Sequence, residues 1–334
     1  MPKFATYLHP NTTLTTKPSP QIAFVGHSYP YFCRVRHGLA EQLAHYPALP
    51  AREAAVADYG TVHTAVYLQT IQRLADDEPV DEQPQWSMEN SGLAYTLPGL
   101  RYGLGGLMEA IDQMKAGQLE RAYCFSLGGH HAFADWGHGY CILNPQAAAA
   151  RYAQAQGFQK ILIVDWDLHH GDGTQTIFAH DPTIYCLSLH SAADLYMTTQ
   201  RVLRLGTITA AAEVGHGNIP ILHKDYDDSF WQQMKLPGTY YRAANSLSIF
   251  EEALENAPWP PDLIFIFSGY DSHRDDQGYH VTNWVDEDFE ALTRLVLRVA
   301  QKANCPIISS HGGGYTLKVA VATAVAHVNV LAHK

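Results

Sequence analysis

The sequence of 334 residues contains no run of 18 apolar residues, no low-complexity tract and no Gly/Ser/Pro-rich linker. The first absence argues against a membrane-spanning helix, and residues 1–20 lack the continuous apolar core of an export signal. Without a linker or an internal repeat, the chain is predicted to form a single domain over residues 1–334. We therefore expect a non-exported, cytoplasmic protein that does not bind membranes.

Cysteine and positive charge are also scarce. Five cysteines are scattered and never form a Cys-x-x-Cys pair, so we expect reduced thiols, as in the cytoplasm. The 22 Lys and Arg residues are outnumbered by 33 Asp and Glu, which gives a net charge of -11. This charge disfavours nucleic acid as a partner and is compatible with a cationic substrate.

Short aliphatic runs alternate with longer segments of helical composition. The runs, which predict buried strands, are residues 22–25, 122–125, 161–164, 184–187, 263–267 and 307–309. The predicted helices are residues 100–116, 146–156, 229–257, 287–303 and 317–331, and Asn144 is a candidate N-cap of the second. This order predicts an α/β fold in three layers, with a mostly parallel central sheet and helices on both faces. Ligands of such sheets bind beyond the carboxyl ends of the strands.

One strand is followed directly by a dense group of ionisable residues. The stretch is Asp165-Trp166-Asp167-Leu168-His169-His170-Gly171-Asp172-Gly173. Alternate residues of an extended chain point the same way, so Asp165, Asp167 and His169 can converge. Carboxylate oxygen and imidazole nitrogen are ligands that zinc accepts. Ordinary solvated charges at a strand end are the alternative, and they do not account for this alternation.

Three further strands end in polar, glycine-containing clusters. They are Ser126-Leu127-Gly128-Gly129-His130-His131, Ser268-Gly269-Tyr270-Asp271-Ser272-His273 and His311-Gly312-Gly313-Gly314-Tyr315. If the sheet brings these clusters to one edge, they add two histidines, a carboxylate and a phenol to the Asp167/His169 pair. Each cluster alone is also compatible with an ordinary turn after a strand.

Together these motifs resemble the zinc-dependent deacetylase superfamily, which comprises histone deacetylases, acetylpolyamine amidohydrolases and their bacterial relatives. The resemblance runs from residues 62–67 to the C-terminus, with the four clusters in the family's order. It implies the arginase/deacetylase-like fold and a hydrolase that acts on linear amide C-N bonds. It further implies Zn(2+) as cofactor, with Asp167, His169 and Asp271 as its ligands.

The resemblance also assigns catalytic roles. His131 would be the general base, with Asp172 orienting its ring. His130 would be the electrostatic partner, oriented by Asp165. Tyr315 would donate a hydrogen bond to the developing oxyanion.

Other positions match less critical features of the family. Tyr140, Gly129 and Gly314 are expected to contact the substrate, Tyr140 as an aromatic wall of the acyl-lysine tunnel. Asp165, Ser188 and Leu189 correspond to a structural K(+) site. Phe178, Asp181 and Ile184 have the spacing of a second one.

The chain departs from the family pattern at several places. The arginine of the acetate-release channel is either Arg34 or Arg36, and the acidic rim residue falls near Glu89 and Asn90. Residues 274–280 are shortened and are expected at the pocket mouth. Candidate rim aromatics, for which packing on the domain itself is equally compatible, are Trp86, Tyr279 and His280.

Several functions remain open at this point. Acyl-lysine in proteins is the favoured substrate, and an acetylated polyamine or another small amide is the alternative. A two-manganese ureohydrolase shares the fold but needs more carboxylates than these motifs provide. An inactive acyl-lysine reader would not need His130, His131, Asp172 and Tyr315. The sequence leaves the acyl group, the carrier and the oligomeric state open.

Overall fold

A computed structural model describes residues 3–17, 29–80, 90, 92–192, 216–225, 229, 239–277 and 281–333. Its eight strands are β1 (Phe4–Tyr7), β2 (Arg121–Cys124), β3 (Ile161–Asp165), β4 (Ile184–Ser191), β5 (His216–Leu222), β6 (Tyr241–Arg242), β7 (Leu263–Ser268) and β8 (Ile307–His311). Their order in the sheet is β1-β2-β8-β7-β3-β4-β5-β6. Every strand pair with a described register is parallel.

Eight α-helices accompany the strands in the described part of the chain. They are α1 (Tyr29–Gln42), α2 (Ala65–Ala75), α3 (Leu97–Lys115), α4 (Pro145–Ala155), α5 (Asp172–Ile177), α6 (Ser246–Glu255), α7 (Asp286–Ala303) and α8 (Leu317–Ala332). The predicted α/β fold with a parallel sheet is confirmed. No helix of the described residues is long and apolar enough to cross a membrane.

The chain divides into two compact units of interleaved segments. Unit 1 comprises Met1–Gln159, Asp172–Ile177 and Ile308–His311, and unit 2 comprises Lys160–Gly171, Phe178–Ile307 and Gly312–Lys334. The single domain expected from the sequence stays a prediction.

Strand β3 is central to unit 2. All five of its residues are buried, because it lies between β4 and β7, with Ile161 opposite Ile184 on one side and Leu263 on the other. Apolar side chains on both faces suit such a strand, which has no solvent-exposed side. The buried strand carries Asp165 at its carboxyl end and fixes where the following loop begins.

In unit 1, helix α3 approaches strand β1 through a glycine. A Cβ atom on Gly106 would lie 2.1 Å from the ring of Tyr7, a fully buried residue. Helix α4 is preceded by Asn144, whose Oδ1 accepts a hydrogen bond from the Ala147 amide at 2.9 Å. The predicted N-cap is therefore present.

Most predicted elements are found within a few residues, and the exceptions have local causes. Helices α1, α2 and α5 and strands β1 and β5 are not among the predicted elements. The two strands were missed because Phe4–Tyr7 is not an aliphatic run and β5 contains Gly217 and Pro220, which are rare inside strands. The helix predicted over residues 229–257 is wrong in part: β6 lies within it, and α6 covers only Ser246–Glu255. The run 22–25 lies outside the described residues.

All five cysteines are free thiols, as expected. Cys124, Cys141 and Cys186 are buried, and Cys33 and Cys305 are partly exposed. Burial raises the pKa of Cys305 to about 12, so this thiol is protonated at neutral pH.

We predict that Asn144→Ala lowers the free energy of unfolding by about 1–3 kcal/mol. The Asn144 side chain caps α4 and also donates from Nδ2 to Thr174 Oγ1 at 2.9 Å, in a site without solvent exposure. Denaturant unfolding measures the change. The matched control is Asn245→Ala, because Asn245 occupies the N-cap of α6 without a side-chain capping bond. Equal destabilisation by the two substitutions would contradict the prediction.

Candidate active site

Three potential metal ligands meet in unit 2. Asp167 and His169 lie in the loop after β3, and Asp271 lies in the loop after β7. His169 Nδ1 is 3.3 Å from Asp167 Oδ1 and 3.0 Å from Asp271 Oδ2. The carboxylates are buried, while His169 keeps 19% of its side-chain surface exposed. Of these three side chains, the imidazole is thus the one that reaches solvent.

The spacing of these atoms matches the ligands of one zinc ion. Bonds of 2.0–2.2 Å at tetrahedral angles separate two ligand atoms by about 3.3–3.6 Å. Asp271 Oδ2 is buried without a hydrogen bond, although it lies 3.0 Å from the imidazole nitrogen. Ligand atoms of three side chains that converge at these distances in a largely buried site are what one metal ion requires. The donor set therefore fits zinc.

Electrostatics also favours a cation here. Burial, and then the neighbouring charge of Asp167, raise the pKa of Asp271. Two carboxylates that are both ionised in a buried site repel one another, and a bound cation removes this cost. His169 is neutral when its Nδ1 lone pair coordinates a metal, so it then adds no positive charge to the site.

Backbone amides hold the second oxygen of each carboxylate. The Leu168 amide donates to Asp271 Oδ1 at 2.9 Å, and the Gly313 amide donates to Asp167 Oδ2 at 2.6 Å. The glycine turn is itself attached to the β7 loop, since the Tyr270 amide donates to the Gly313 carbonyl at 2.8 Å. The other oxygens, Asp167 Oδ1 and Asp271 Oδ2, face His169 Nδ1, and the His169 amide also donates to Asp167 Oδ1 at 3.0 Å.

Asp165 does not join this trio. Its Oδ1 accepts a hydrogen bond from the Asp167 amide at 3.0 Å. The expected convergence with Asp167 and His169 required an extended chain, but β3 ends at Asp165 and the chain turns after it. The pairing of Asp165 with His130 stays a prediction.

Tyr315 lies close to the candidate metal ligands. The centre of its ring is 6.3 Å from that of His169, in an edge-to-face arrangement. Asp276 Oδ2 accepts hydrogen bonds from the Tyr315 amide at 2.9 Å and the Thr316 amide at 2.7 Å. Asp276 is 1% exposed, so it anchors the Tyr315 backbone from the interior. Sequence reasoning missed this anchor, because an acid in a polar loop is expected at the surface.

A second cluster lies in unit 1, after β2. His131 Nδ1 is 2.7 Å from Asp172 Oδ1, the contact that the resemblance implies. The rings of His130 and His131 are 4.0 Å apart. Burial, followed by the neighbouring His130 and His138, lowers the pKa of His131 to about 3. Burial alone would raise the pKa of Asp172, but His138 and His131 lower it overall. At neutral pH the pair is a neutral imidazole beside an ionised carboxylate.

His138 is a member of this cluster that sequence reasoning missed. Its Nε2 lies 2.8 Å from Asp172 Oδ2, and its ring centre is 4.3 Å from that of His131. The signal was present in the sequence as a third histidine shortly after His130 and His131.

The three residues predicted to contact the substrate all have positive φ angles. Tyr140 has a φ of 63°, and its ring lies 6.3 Å from that of Phe32. Gly129 and Gly314 have φ values of 146° and 138°, which L side chains rarely adopt. The glycines therefore shape the loops that carry His130 and Tyr315. Their contact with substrate stays a prediction, as does that of Tyr140.

The potassium sites also stay predictions. Ser188 pairs with Asp165 across β3 and β4, and its hydroxyl lies 2.8 Å from His190 Nδ1. Leu189 is buried in the same strand. In the second predicted site, the Asp181 amide donates to the Phe178 carbonyl, and the Ile184 amide donates to the Asp181 carbonyl.

The structure distinguishes the candidate rim and channel residues. Arg36 is half-buried and donates to the Leu8 carbonyl at 3.1 Å, whereas Arg34 is exposed. Asn90 is buried and donates to the Cys141 carbonyl at 2.9 Å, which is an interior position. Other candidates lie outside the described residues, namely Trp86, Glu89, Tyr279 and His280.

The sequence pattern of the histone deacetylase domain matches residues 32–331 of the 334 in this chain. The chain belongs to the histone deacetylase family. It is accordingly a hydrolase that acts on amide bonds. The earlier resemblance is confirmed at the level of family and reaction class.

Individual relatives have low sequence identity to this chain, but they align with most of its length. The histone deacetylase-like amidohydrolase of Pseudomonas aeruginosa is 28% identical over 293 residues, which cover 84% of this chain and 68% of that protein. Polyamine deacetylase HDAC10 of Mus musculus is 28% identical over 81% of this chain, which spans only 39% of HDAC10. The crystal structure of the HDA15 HD domain matches 99% of this chain and 90% of its own, with a TM-score of 0.76 and 22% identity. That structure confirms the fold.

We predict that Gly313→Ala weakens zinc binding by roughly 10- to 100-fold, the usual effect of disturbing residues behind metal ligands. The added Cβ would lie 2.7 Å from Asp167 Oδ2 and 2.8 Å from Asp271 Oδ2, so both carboxylates must move. Competition with a chromogenic chelator measures the affinity. Gly60→Ala is the control, since the atom nearest to its new Cβ is 3.9 Å away. Unchanged affinity in Gly313→Ala would show that the turn does not shape the metal site.

Proposed function

We propose that this family member is a zinc-dependent amidohydrolase that removes an acetyl or other acyl group from an amine, with acyl-lysine in proteins as the favoured substrate. The observation that carries the proposal is the buried Asp167, His169 and Asp271 trio, whose atoms have the spacing of ligands to one zinc ion. When bound there, zinc supplies a Lewis acid that polarises the amide carbonyl and makes water easier to deprotonate.

His131 is the general base in this proposal. An ionised Asp172 only accepts hydrogen bonds, so the contact at His131 Nδ1 places the proton there. The lone pair is then on Nε2, where it can accept a proton from the attacking water and later return it to the leaving amine. His130, 4.0 Å away, is the electrostatic partner, and Asp165 is proposed to orient it.

Tyr315 is the proposed oxyanion donor. A phenol with a pKa near 10 keeps its proton at neutral pH and can donate it in a hydrogen bond. Asp276 fixes the backbone at Tyr315, and His169 lies against the ring, so the hydroxyl is carried by an anchored residue. A donor that is held before the reaction begins stabilises the developing charge most effectively.

A two-manganese ureohydrolase is the main alternative chemistry. The described residues contain two groups with metal-ligand spacing, the zinc trio and the cluster of His131, His138 and Asp172. In the second group both Asp172 oxygens already contact imidazole nitrogens. The arrangement therefore supports one metal ion and a separate proton-transfer group. An inactive reader would need neither the proton-transfer group nor Tyr315.

An acetylated polyamine is the second candidate substrate. Polyamine deacetylase HDAC10 is among the relatives, and the net charge of -11 suits a cationic small amine.

Cytoplasmic location and structural potassium are further parts of the proposal. The free cysteines support the first, and the second rests on the matched positions Asp165, Ser188 and Leu189.

The function is tested with the zinc-loaded protein on acetyl-lysine peptides, peptides with longer acyl chains, and acetylpolyamines, by comparing kcat/KM. We expect amide hydrolysis that a chelator abolishes and zinc restores, highest on an acyl-lysine peptide. A preference for acetylpolyamines would replace the favoured substrate by the second candidate. Hydrolysis of none of these amides, by protein that contains one zinc per chain, would refute the proposal.

We predict that Tyr315→Phe lowers kcat by roughly 10²- to 10³-fold, the effect of removing one oxyanion donor. Zinc content and melting temperature should stay unchanged, because Phe keeps the ring against His169. Steady-state kinetics and elemental analysis provide the two measurements. Tyr95→Phe is the matched control, since its hydroxyl contacts only the exposed Lys17 and Asp77 among the hydrogen bonds described. Normal kcat in Tyr315→Phe would remove the phenol from the mechanism.

A further inference from the structure

Asp172 is shared between two histidines rather than paired with one. Its Oδ1 lies 2.7 Å from His131 Nδ1, and its Oδ2 lies 2.8 Å from His138 Nε2. The side chain of Asp172 is 1% exposed, and those of His131 and His138 are 5% and 13% exposed. The contacts are therefore formed away from bulk water, where a hydrogen bond to a charged group is strong.

The protonation of the group follows from the carboxylate. The two histidines hold the pKa of Asp172 below its usual range, so it is ionised and can only accept. Each imidazole must then donate an N–H, His131 from Nδ1 and His138 from Nε2. This fixes both tautomers and leaves the lone pair of His131 on Nε2. The carboxylate charge is at the same time divided between two donors.

The conformation of the loop after His131 places His138 beside Asp172. Residues 132 and 137 form an antiparallel bridge, and the Phe133 amide donates to the Trp136 carbonyl at 2.7 Å. The His138 ring then stacks on Trp136, with centres 4.9 Å apart and planes at 29°. Gly139 follows with a φ of 55°, and a Cβ there would lie 2.4 Å from His131 Cδ2. This turn permits the close approach of the two imidazoles.

We propose that His138 is a positioning residue, which acts through Asp172 to set the orientation and basicity of His131 during amide hydrolysis. This inference rests on the proposed function, in which His131 is the general base. His138 donates to the oxygen opposite the one that His131 uses, so it fixes the plane of the carboxylate. It also competes with His131 for the carboxylate charge.

Removal of His138 is expected to raise the pKa of His131. Without the His138 donor, more of the Asp172 charge acts on His131 and stabilises its imidazolium form. Loss of the nearby His138 ring acts the same way, because His138 lowers the pKa of His131. The groups that act on His131 are His130, His138 and Asp172, while Asp135 on the same loop is exposed. A general base must be unprotonated to accept a proton. If the pKa of His131 is raised, His131 becomes protonated, and activity falls, at a higher pH.

The test compares His138→Ala and His138→Gln in the zinc-loaded enzyme across pH. In His138→Ala we expect the acid limb of kcat/KM to move upward by roughly 0.5–1 pH unit, the equivalent of one lost hydrogen bond. His138→Gln should move the acid limb less than His138→Ala does, because its amide nitrogen can donate to Asp172 Oδ2 although the ring is lost. His37→Ala is the control at an exposed histidine on α1, and it should leave the profile unchanged.

A second measurement does not depend on turnover. Nitrogen-15 NMR of the His131 ring reports its tautomer and its titration directly, and His131→Gln identifies the signal by its loss. We expect the Nδ1–H tautomer in wild type and a higher midpoint in His138→Ala. This separates the inference from the proposed function, because the titration would change as expected even if none of the amides were hydrolysed.

Two results would overturn the inference. One is an acid limb and a His131 titration that are the same in His138→Ala and wild type. The other is two metal ions per wild-type chain and one in His138→Ala, which would make His138 a metal ligand. A shift in His138→Gln as large as that in His138→Ala would likewise count against donation to Asp172 as the cause.

Discussion

The burial of two like charges around one imidazole is the constraint that organises unit 2. Asp167 and Asp271 come from loops that follow different strands, and each has an oxygen within 3.3 Å of His169 Nδ1. Ionised carboxylates at this depth are unfavourable unless a cation joins them. The surrounding backbone amides of Leu168 and Gly313 orient the carboxylates but carry no full charge. The folded chain thus places two buried carboxylates where a bound cation would stabilise them.

In unit 1, a buried carboxylate is stabilised by hydrogen-bond donors of the protein itself. Asp172 has a donor at each oxygen, and its pKa is lowered, whereas the pKa of Asp271 is raised by burial and by Asp167. The difference lies in the side-chain partners, since Asp172 contacts two imidazole N–H groups, whereas Asp271 lies beside the charge of a second carboxylate, Asp167. The same residue type therefore has two different environments: Asp172 accepts hydrogen bonds from two imidazoles, and Asp271 is suited to its proposed role as a metal ligand.

The structure also explains which elements could be predicted. Strands β3 and β7 are short aliphatic runs, buried on both faces, so composition alone located them within one residue. Strand β5 forms because β4 and β6 offer backbone partners on its two sides, despite the glycine and proline in its sequence. Pairing with neighbours is a property of the sheet, and it leaves only a weak trace in the strand itself.

By itself, the sequence determined the fold class, the family motifs and the ligand types, because these depend on residue identity and on short-range order. Asp167 and His169 could be recognised from their spacing. Only the tertiary structure decided that Asp276 anchors Tyr315 and that His138 shares Asp172 with His131. His138 and Asp172 are 34 residues apart in the chain, and Asp276 and Tyr315 are 39 apart. Contacts over such separations arise from the packing of loops and turns, which local sequence patterns do not specify.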